Sequence, residues 1–95
     1  MANMTKEEII QECKDTYKLY SLKFNDRVNF LLELFNMDLI EDEYVAEVVK
    51  AEAKLSRQID RVKRLMIYLG RINNLDLESE AESFSFHERA KVGLL

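Results

Sequence analysis

Residues 45–69 read VAEVVKAEAKLSRQIDRVKRLMIYL. Apolar residues recur in this stretch at alternating steps of three and four, which places their side chains on one face of an α-helix. The row consists of Val45, Val48, Glu52, Leu55, Ile59, Val62, Met66 and Leu69. The chain contains no proline, the residue that most strongly interrupts helices. The stretch therefore predicts a long amphipathic helix, starting at Asp38 or Asp42 and ending near Asn73.

Residues 10–34 carry a second row with the same alternation of steps. Its members are Ile10, Cys13, Tyr17, Tyr20, Phe24, Arg27, Leu31 and Leu34. Read in opposite directions, the two rows pair at every step, and the one charged residue of each meets the other, Arg27 against Glu52. Only a short link separates the two patterns, and helices joined in this way fold back antiparallel.

We therefore predict an all-α fold in which residues 1–74 form an antiparallel two-helix hairpin. The first helix is expected to begin after Thr5, because Glu8 lies three residues further on, the spacing of a capping box. It is expected to end near Asn36. Arg27 and Glu52 are predicted to fix the register of the pair. The alternative is that both are charged residues tolerated at the edge of the apolar contact.

Residues 75–95 form a second, acidic segment. Residues 76–88 contain five acidic residues and no Lys or Arg; the first base after them is Arg89. Leu77, Ala81 and Phe84 have helical spacing, so the segment is predicted to form a short helix over 77–91 or to remain a flexible tail.

More apolar residues are present than a two-helix contact can bury. The surplus set flanks the two rows, and an apolar face of this width is typical of bundle helices. We expect a second copy to cover it in a four-helix bundle homodimer; the alternatives are residues 77–95 folded back with Phe84 and Phe86, or another protein. The predicted interface residues are Val28, Phe30, Leu32, Phe35, Tyr44, Val49, Leu65 and Ile72.

A row of basic residues follows the second helix on the side away from its apolar row. It consists of Lys50, Lys54, Arg57, Arg61, Arg64, Tyr68 and Arg71. The row is either an ordinary solvated face or a binding surface for an acidic protein. Nucleic acid is a further candidate, because Lys and Arg neutralise phosphates. A net charge of −4 and a pI of about 5.0 argue against nucleic acid. The acidic segment itself is a candidate ligand that regulates access to the row.

No group of residues indicates catalysis, and we expect no enzyme activity, no catalytic residues, no cofactor and no metal. His87 lies beside Glu88 but has no nucleophile placed with it, and Cys13 lies on the apolar row, where an inert thiol is expected. A zinc site needs three or four ligands. The two glycines, Gly70 and Gly93, form no phosphate-binding loop.

The sequence also predicts a location and a class of function. It has no stretch of about 20 apolar residues that could span a membrane, and its N-terminal residues lack the apolar core of an export signal. A single cysteine fits the reducing cytoplasm. We therefore expect a cytoplasmic helical interaction protein that binds and modulates a partner protein, and no membrane association.

No motif identifies a family. In size and predicted shape the chain resembles small helical-hairpin adaptors, secretion chaperones, bacteriocin immunity proteins and phage-encoded regulators or inhibitors. This resemblance rests on shape alone, so it implies a binding role and assigns no residues.

Overall fold

The computed structural model describes the backbone of residues 4–36 and 42–94. The side chains that fall outside the description within those ranges are 23–25, 27, 28, 30–32, 34, 35 and 42–48. Three helices form the described chain: α1 (Lys6–Asn36), α2 (Asp42–Ile72) and α3 (Glu78–Lys91). No strand occurs in these ranges. The prediction of an all-α fold is confirmed.

The start of α1 has the capping box that the sequence predicts. The Glu8 backbone N–H donates to Thr5 Oγ1 at 3.2 Å, and the Thr5 backbone N–H donates to Glu8 Oε1 at 3.2 Å. These reciprocal bonds satisfy two backbone donors that have no partner inside the helix. α1 accordingly begins at Lys6.

The end of α2 is a tight reversal. Asn74 adopts a positive φ of 58°, and the Leu75 N–H donates back to the Gly70 carbonyl at 2.7 Å, as in a Schellman-type helix end. A Cβ at Gly70 would lie 2.9 Å from the Leu75 carbonyl oxygen and 3.0 Å from Leu77 Cγ. Gly70 is therefore needed for the chain to turn closely past α2 and enter α3.

The first residues of α1 lie beside the last residues of α2. The Met4 backbone N–H donates to Asn73 Oδ1 at 2.9 Å, and helices α1 and α2 contact one another. At the same end of the molecule, Lys6 forms an ion pair with Glu80 of α3. The link between α1 and α2, and with it the predicted helix start at Asp38, lies outside the described residues.

All three helices contribute to one hydrophobic core. α3 packs on α2, and its Phe84 ring meets Tyr17 of α1 edge to face, with ring centroids 5.4 Å apart. Such aromatic pairs add to the stabilisation that burial itself provides. The buried apolar residues are Ile9, Cys13, Tyr17, Ala51, Leu55, Ile59, Val62, Met66, Leu77, Ala81, Phe84 and Val92.

The structure corrects the predicted apolar row of α1. Tyr20 is 52% exposed, whereas Ser21, which the row omits, is buried. Ile9 is fully buried, and Ile10 is only partly so. The reason is that α3 supplies a second neighbour, through Phe84, and the buried face of α1 is therefore turned toward it.

The C-terminal segment also differs in part from the expectation. It forms the short helix α3, the first of the two alternatives, and Phe84 is buried in the core. Phe86, which the alternative of a folded-back segment places over the surplus apolar residues, is 60% exposed. Two residues along a helix turn a side chain by about 200°, so both phenylalanines cannot face the same neighbour.

Candidate binding surface

The basic row predicted from the sequence lies on the outer face of α2. Steps of four and three keep its members on one side of the helix, while Leu55, Ile59 and Met66 occupy the opposite, buried side. Every member is exposed, and Tyr68 is 60% exposed. The exposed row consists of Lys50, Lys54, Arg57, Arg61, Arg64, Tyr68 and Arg71.

The arginines of this row are held only lightly. Arg57 Nε donates to the Ala53 carbonyl at 3.3 Å, and Arg64 Nε donates to the Asp60 carbonyl at 3.4 Å. Each bond runs to the arginine's own helix and uses one of five N–H donors. The other donors are available to orient on a carboxylate or phosphate.

The acidic helix α3 docks on the side of α2 next to the row. Arg89 is the anchor: its Nη1 donates to Ser56 Oγ at 2.6 Å, and its Nη2 forms an ion pair with Asp60. Its Nε donates to Ser85 of its own helix at 3.2 Å. Sequence reasoning missed this residue, although a lone arginine closing an acidic segment was a usable signal.

The acidic residues of α3 pair with bases near the row but scarcely with the row itself. Glu82 bonds Lys63 at 2.7 Å. Among the ion pairs that the structure describes, Glu78 contacts a member of the row, Arg71, at 3.4 Å between exposed groups. Exposed pairs of this kind contribute little energy. The prediction that the acidic segment lies on the row and regulates access to it stays a prediction. In the structure α3 is held beside the row by its buried residues and by Arg89.

The predicted apolar interface is described only in part. Val49 and Ile72 are 57% and 51% exposed, and Leu65 is half-buried against the core. The other predicted members lie outside the described side chains; they are Val28, Phe30, Leu32, Phe35 and Tyr44. Of the predicted register pair, Glu52 is half-buried and the Arg27 side chain lies outside the described residues.

A groove separates α1 from α3. Its lining includes Tyr17, Ser21 and Phe84, with Lys14 and Glu88 at its edges. Burial, with the nearby charge of Glu88, raises the pKa of Tyr17 to about 12. The Tyr17 hydroxyl therefore stays protonated at neutral pH and can donate a hydrogen bond in the groove.

The residues considered for catalysis occupy inert settings. Cys13 is fully buried, and burial together with the adjacent charge of Glu12 raises the pKa of its thiol to about 11. A thiol with that pKa is a poor nucleophile at neutral pH. His87 is exposed and stacks edge-on against Phe86 at 5.8 Å between ring centroids. Cys13 and His87 thus form no pair.

The described residues contain neither a metal site nor a membrane-spanning helix. No group of three or more His, Cys, Asp or Glu residues in them is arranged to hold a metal ion. None of the described helices is long and apolar enough to cross a lipid bilayer.

Comparison with known proteins identifies no relative: no family model, curated protein or solved structure matches this chain.

Proposed function

We propose that this chain is a non-enzymatic helical interaction protein whose basic row on α2 binds an acidic surface of a partner protein and thereby modulates that partner. The observation that carries the proposal is the exposure of all seven members of the row, although the same chain contains an acidic helix that could have covered them. α3 is instead anchored beside the row by Arg89.

The length of the row suits an extended acidic partner, such as a helix with a line of carboxylates. From Lys50 to Arg71 it covers about 32 Å at about 1.5 Å per residue. Arginine forks bind carboxylates in a bidentate manner, which gives orientation as well as attraction. Tyr68 adds an apolar surface with a hydroxyl, the type of side chain that is enriched in protein interfaces.

The architecture that we propose around this row is the antiparallel hairpin, with α3 completing three helices in each copy. It is supported by the hydrogen bond from Met4 to Asn73, which joins the start of α1 to the end of α2. A homodimer of two hairpins forming a four-helix bundle would cover the exposed flank that includes Val49 and Ile72. We retain the cytoplasm as the expected location on the basis of the single, reduced cysteine.

The test is a titration of a fluorescent poly-glutamate peptide and, separately, a duplex DNA of mixed sequence. The variant carries Arg57→Gln, Arg61→Gln and Arg64→Gln. Because three ion pairs of about 0.5 kcal/mol each are lost, we expect about tenfold weaker binding of the peptide. The measurement is fluorescence anisotropy.

The matched control changes the same amount of charge elsewhere. Lys14, Lys18 and Lys91 are exposed and line the groove between α1 and α3. Their triple replacement by Gln should leave the affinity for the peptide within about twofold, a change of about 0.4 kcal/mol. Equal losses in both variants would show attraction by net charge alone and would overturn the proposal. Tighter binding of DNA than of peptide, with a steep salt dependence, would favour the nucleic-acid alternative.

A further inference from the structure

We propose that the basic row of one copy binds the outer face of α1 in a second copy, so that the protein associates with itself head to tail. This inference rests on the proposed function, because the same basic row is the binding surface. It names one acidic partner for that row, which is α1 of another copy of this chain.

The outer face of α1 is exposed and mostly acidic. Successive members are separated by four, three, four, seven and seven residues, so they lie on one side of the helix. That side is turned away from the buried Cys13 and Tyr17. We call these residues the acidic row: Glu8, Glu12, Asp15, Leu19, Asp26 and Glu33.

Within the part of the chain that the structure describes, the carboxylates of the acidic row form no ion pair. Among the described residues, no Lys or Arg nitrogen lies within 4 Å of the carboxylates of Glu12, Asp15 or Asp26. Asp15 accepts a hydrogen bond from the neutral Gln11 at 2.9 Å. The acidic row therefore carries negative charge that α1 and its neighbours leave uncompensated.

The two rows match when they are placed side by side in opposite directions. Glu8 then faces Arg71, with Asp15 opposite Arg64 one heptad further along both helices. The next acid, Asp26, falls beside Lys54. This is the register obtained when a second copy is displaced sideways without being turned end over end. Opposite charges then meet over the stretch from Glu8 to Asp26, whereas Glu33 falls beyond Lys50, the last base of the row.

The one apolar member of the acidic row also finds a partner in this register. Leu19 is 78% exposed, the highest value among the large apolar side chains that the structure describes. In the proposed contact it lies level with Arg61 and near Arg57. The methylene stems of arginine cover apolar surface while the guanidinium stays in water, so Leu19 is partly buried without disturbing the ion pairs.

The geometry makes the association heterologous. The acidic row lies on the side of α1 away from α2, and the basic row lies on the side of α2 away from α1, so each copy can bind two others. Contacts of this type form rings when the rotation between copies closes and open chains when it does not. The bundle homodimer proposed above differs, because it uses an apolar flank that both copies share.

The expected contact is small. A strip about 32 Å long and about 10 Å wide buries about 320 Å² on each copy, less than half of what a standard stable interface buries. The association should therefore be weak, reversible and dependent on concentration. It should also be lost in about 1 M salt, where the screening length falls to about 3 Å.

The test is sedimentation velocity of the full chain from about 10 µM to about 1 mM, the range in which weak contacts are populated. One variant neutralises the acidic row with Glu12→Gln, Asp15→Asn and Asp26→Asn. The other neutralises the basic row with Arg57→Gln, Arg61→Gln and Arg64→Gln. We expect each variant alone to associate about tenfold more weakly than the native chain.

A mixture of the two variants tests directly whether the basic row of one copy binds the acidic row of another. Each retains one intact row, so the mixture should form a one-to-one complex that does not grow further with concentration. Circular dichroism melting of each variant checks that the helices are retained. A native chain that associates no further than both variants do, whether the common species is a monomer or the bundle homodimer, would overturn the head-to-tail contact.

The result is separable from that of the proposed function. Poly-glutamate titrations are run at the lowest concentration, where the native chain is monomeric. Peptide binding without self-association leaves the proposed function standing and removes this inference. Self-association that depends on both rows, with no affinity for the peptide, gives the opposite outcome.

Discussion

The two sides of α2 differ in how they hold arginine side chains. On the side facing α3, Arg89 is held by Ser56, Asp60 and Ser85, and its side chain is only 19% exposed. On the outer side, Arg57 and Arg64 each make a single long bond to the backbone of their own helix and remain exposed. The same side-chain type fixes the fold in one place and remains available for binding in the other.

The difference follows from what lies next to each arginine. Asp60 and Ser56 share one edge of α2 because they are four residues apart, so a helix packed on that edge can satisfy them both. Donors fixed in this way are not free to adapt to a partner. The arginines at the middle of the outer row, Arg57, Arg61 and Arg64, are exposed, and their side chains keep most of their rotamer freedom until a partner orders them.

The largest effect is expected where α3 enters the core. Phe84→Ala should lower the free energy of unfolding by about 3–5 kcal/mol, because a buried aromatic ring and its contact with Tyr17 are lost. The measurement is chemical denaturation followed by circular dichroism. Phe86→Ala is the control, since Phe86 is 60% exposed, and it should change stability by less than about 0.5 kcal/mol. Equal effects would mean that α3 does not pack as described.

The dependence of stability on alkaline pH tests the burial of Cys13 in the core. Burial raises the pKa of Cys13 from 9.0 to about 11, so the folded state holds its proton more tightly than the unfolded state does. This contribution to stability is complete below about pH 9 and disappears as the pH rises through about 11. Two pKa units correspond to at most about 3 kcal/mol.

Denaturation midpoints between pH 8 and about pH 11 test this titration. In Cys13→Ala the decline should begin later, because Tyr17, with a pKa raised to about 12, is then the first buried group to ionise. The two chains are compared by the slope of the denaturation midpoint against pH, because the substitution also removes packing atoms and so lowers the stability at every pH. A native chain whose stability stayed constant up to pH 11 would contradict the burial of the thiol.

A smaller effect is expected from the anchor of α3. Arg89→Ala should cost about 1–2 kcal/mol, because Ser56 loses its donor and Asp60 its counter-ion at a partly exposed site. Arg61→Ala, on the outer row, should change stability by less than about 0.5 kcal/mol. Thermal melting of both variants gives the comparison. A destabilisation by Arg61→Ala as large as that by Arg89→Ala would show that the outer row is structural.

The sequence predicts well wherever one helix determines the answer. The capping box at Thr5 and Glu8 and the outer position of the basic row follow from spacing within a single helix. Prediction from the sequence fails where a third helix packs against the other two. Tyr20 fits a heptad row as well as its neighbours do, and only the contact between Phe84 and Tyr17 explains why Ser21 is buried in its place.

The candidate site shows the same division. Spacing identifies the row from Lys50 to Arg71 but leaves open whether the acidic C-terminal segment covers it. The outcome depends on whether weak exposed ion pairs or the burial of Leu77, Ala81 and Phe84 contributes more to the free energy of folding. Burial prevails, because each large buried side chain contributes roughly 1.5–3 kcal/mol and an exposed ion pair less than about 1 kcal/mol.

The sequence by itself determined helices α1 and α2, the cap of α1 and the outer position of the basic row on α2, because these depend on residues within one or two turns of each other. Only the tertiary structure decided where α3 docks, which aromatic residues it buries and which arginines stay exposed. Those outcomes depend on contacts between residues about 30 or more positions apart, such as Arg89 with Asp60, which no local pattern encodes.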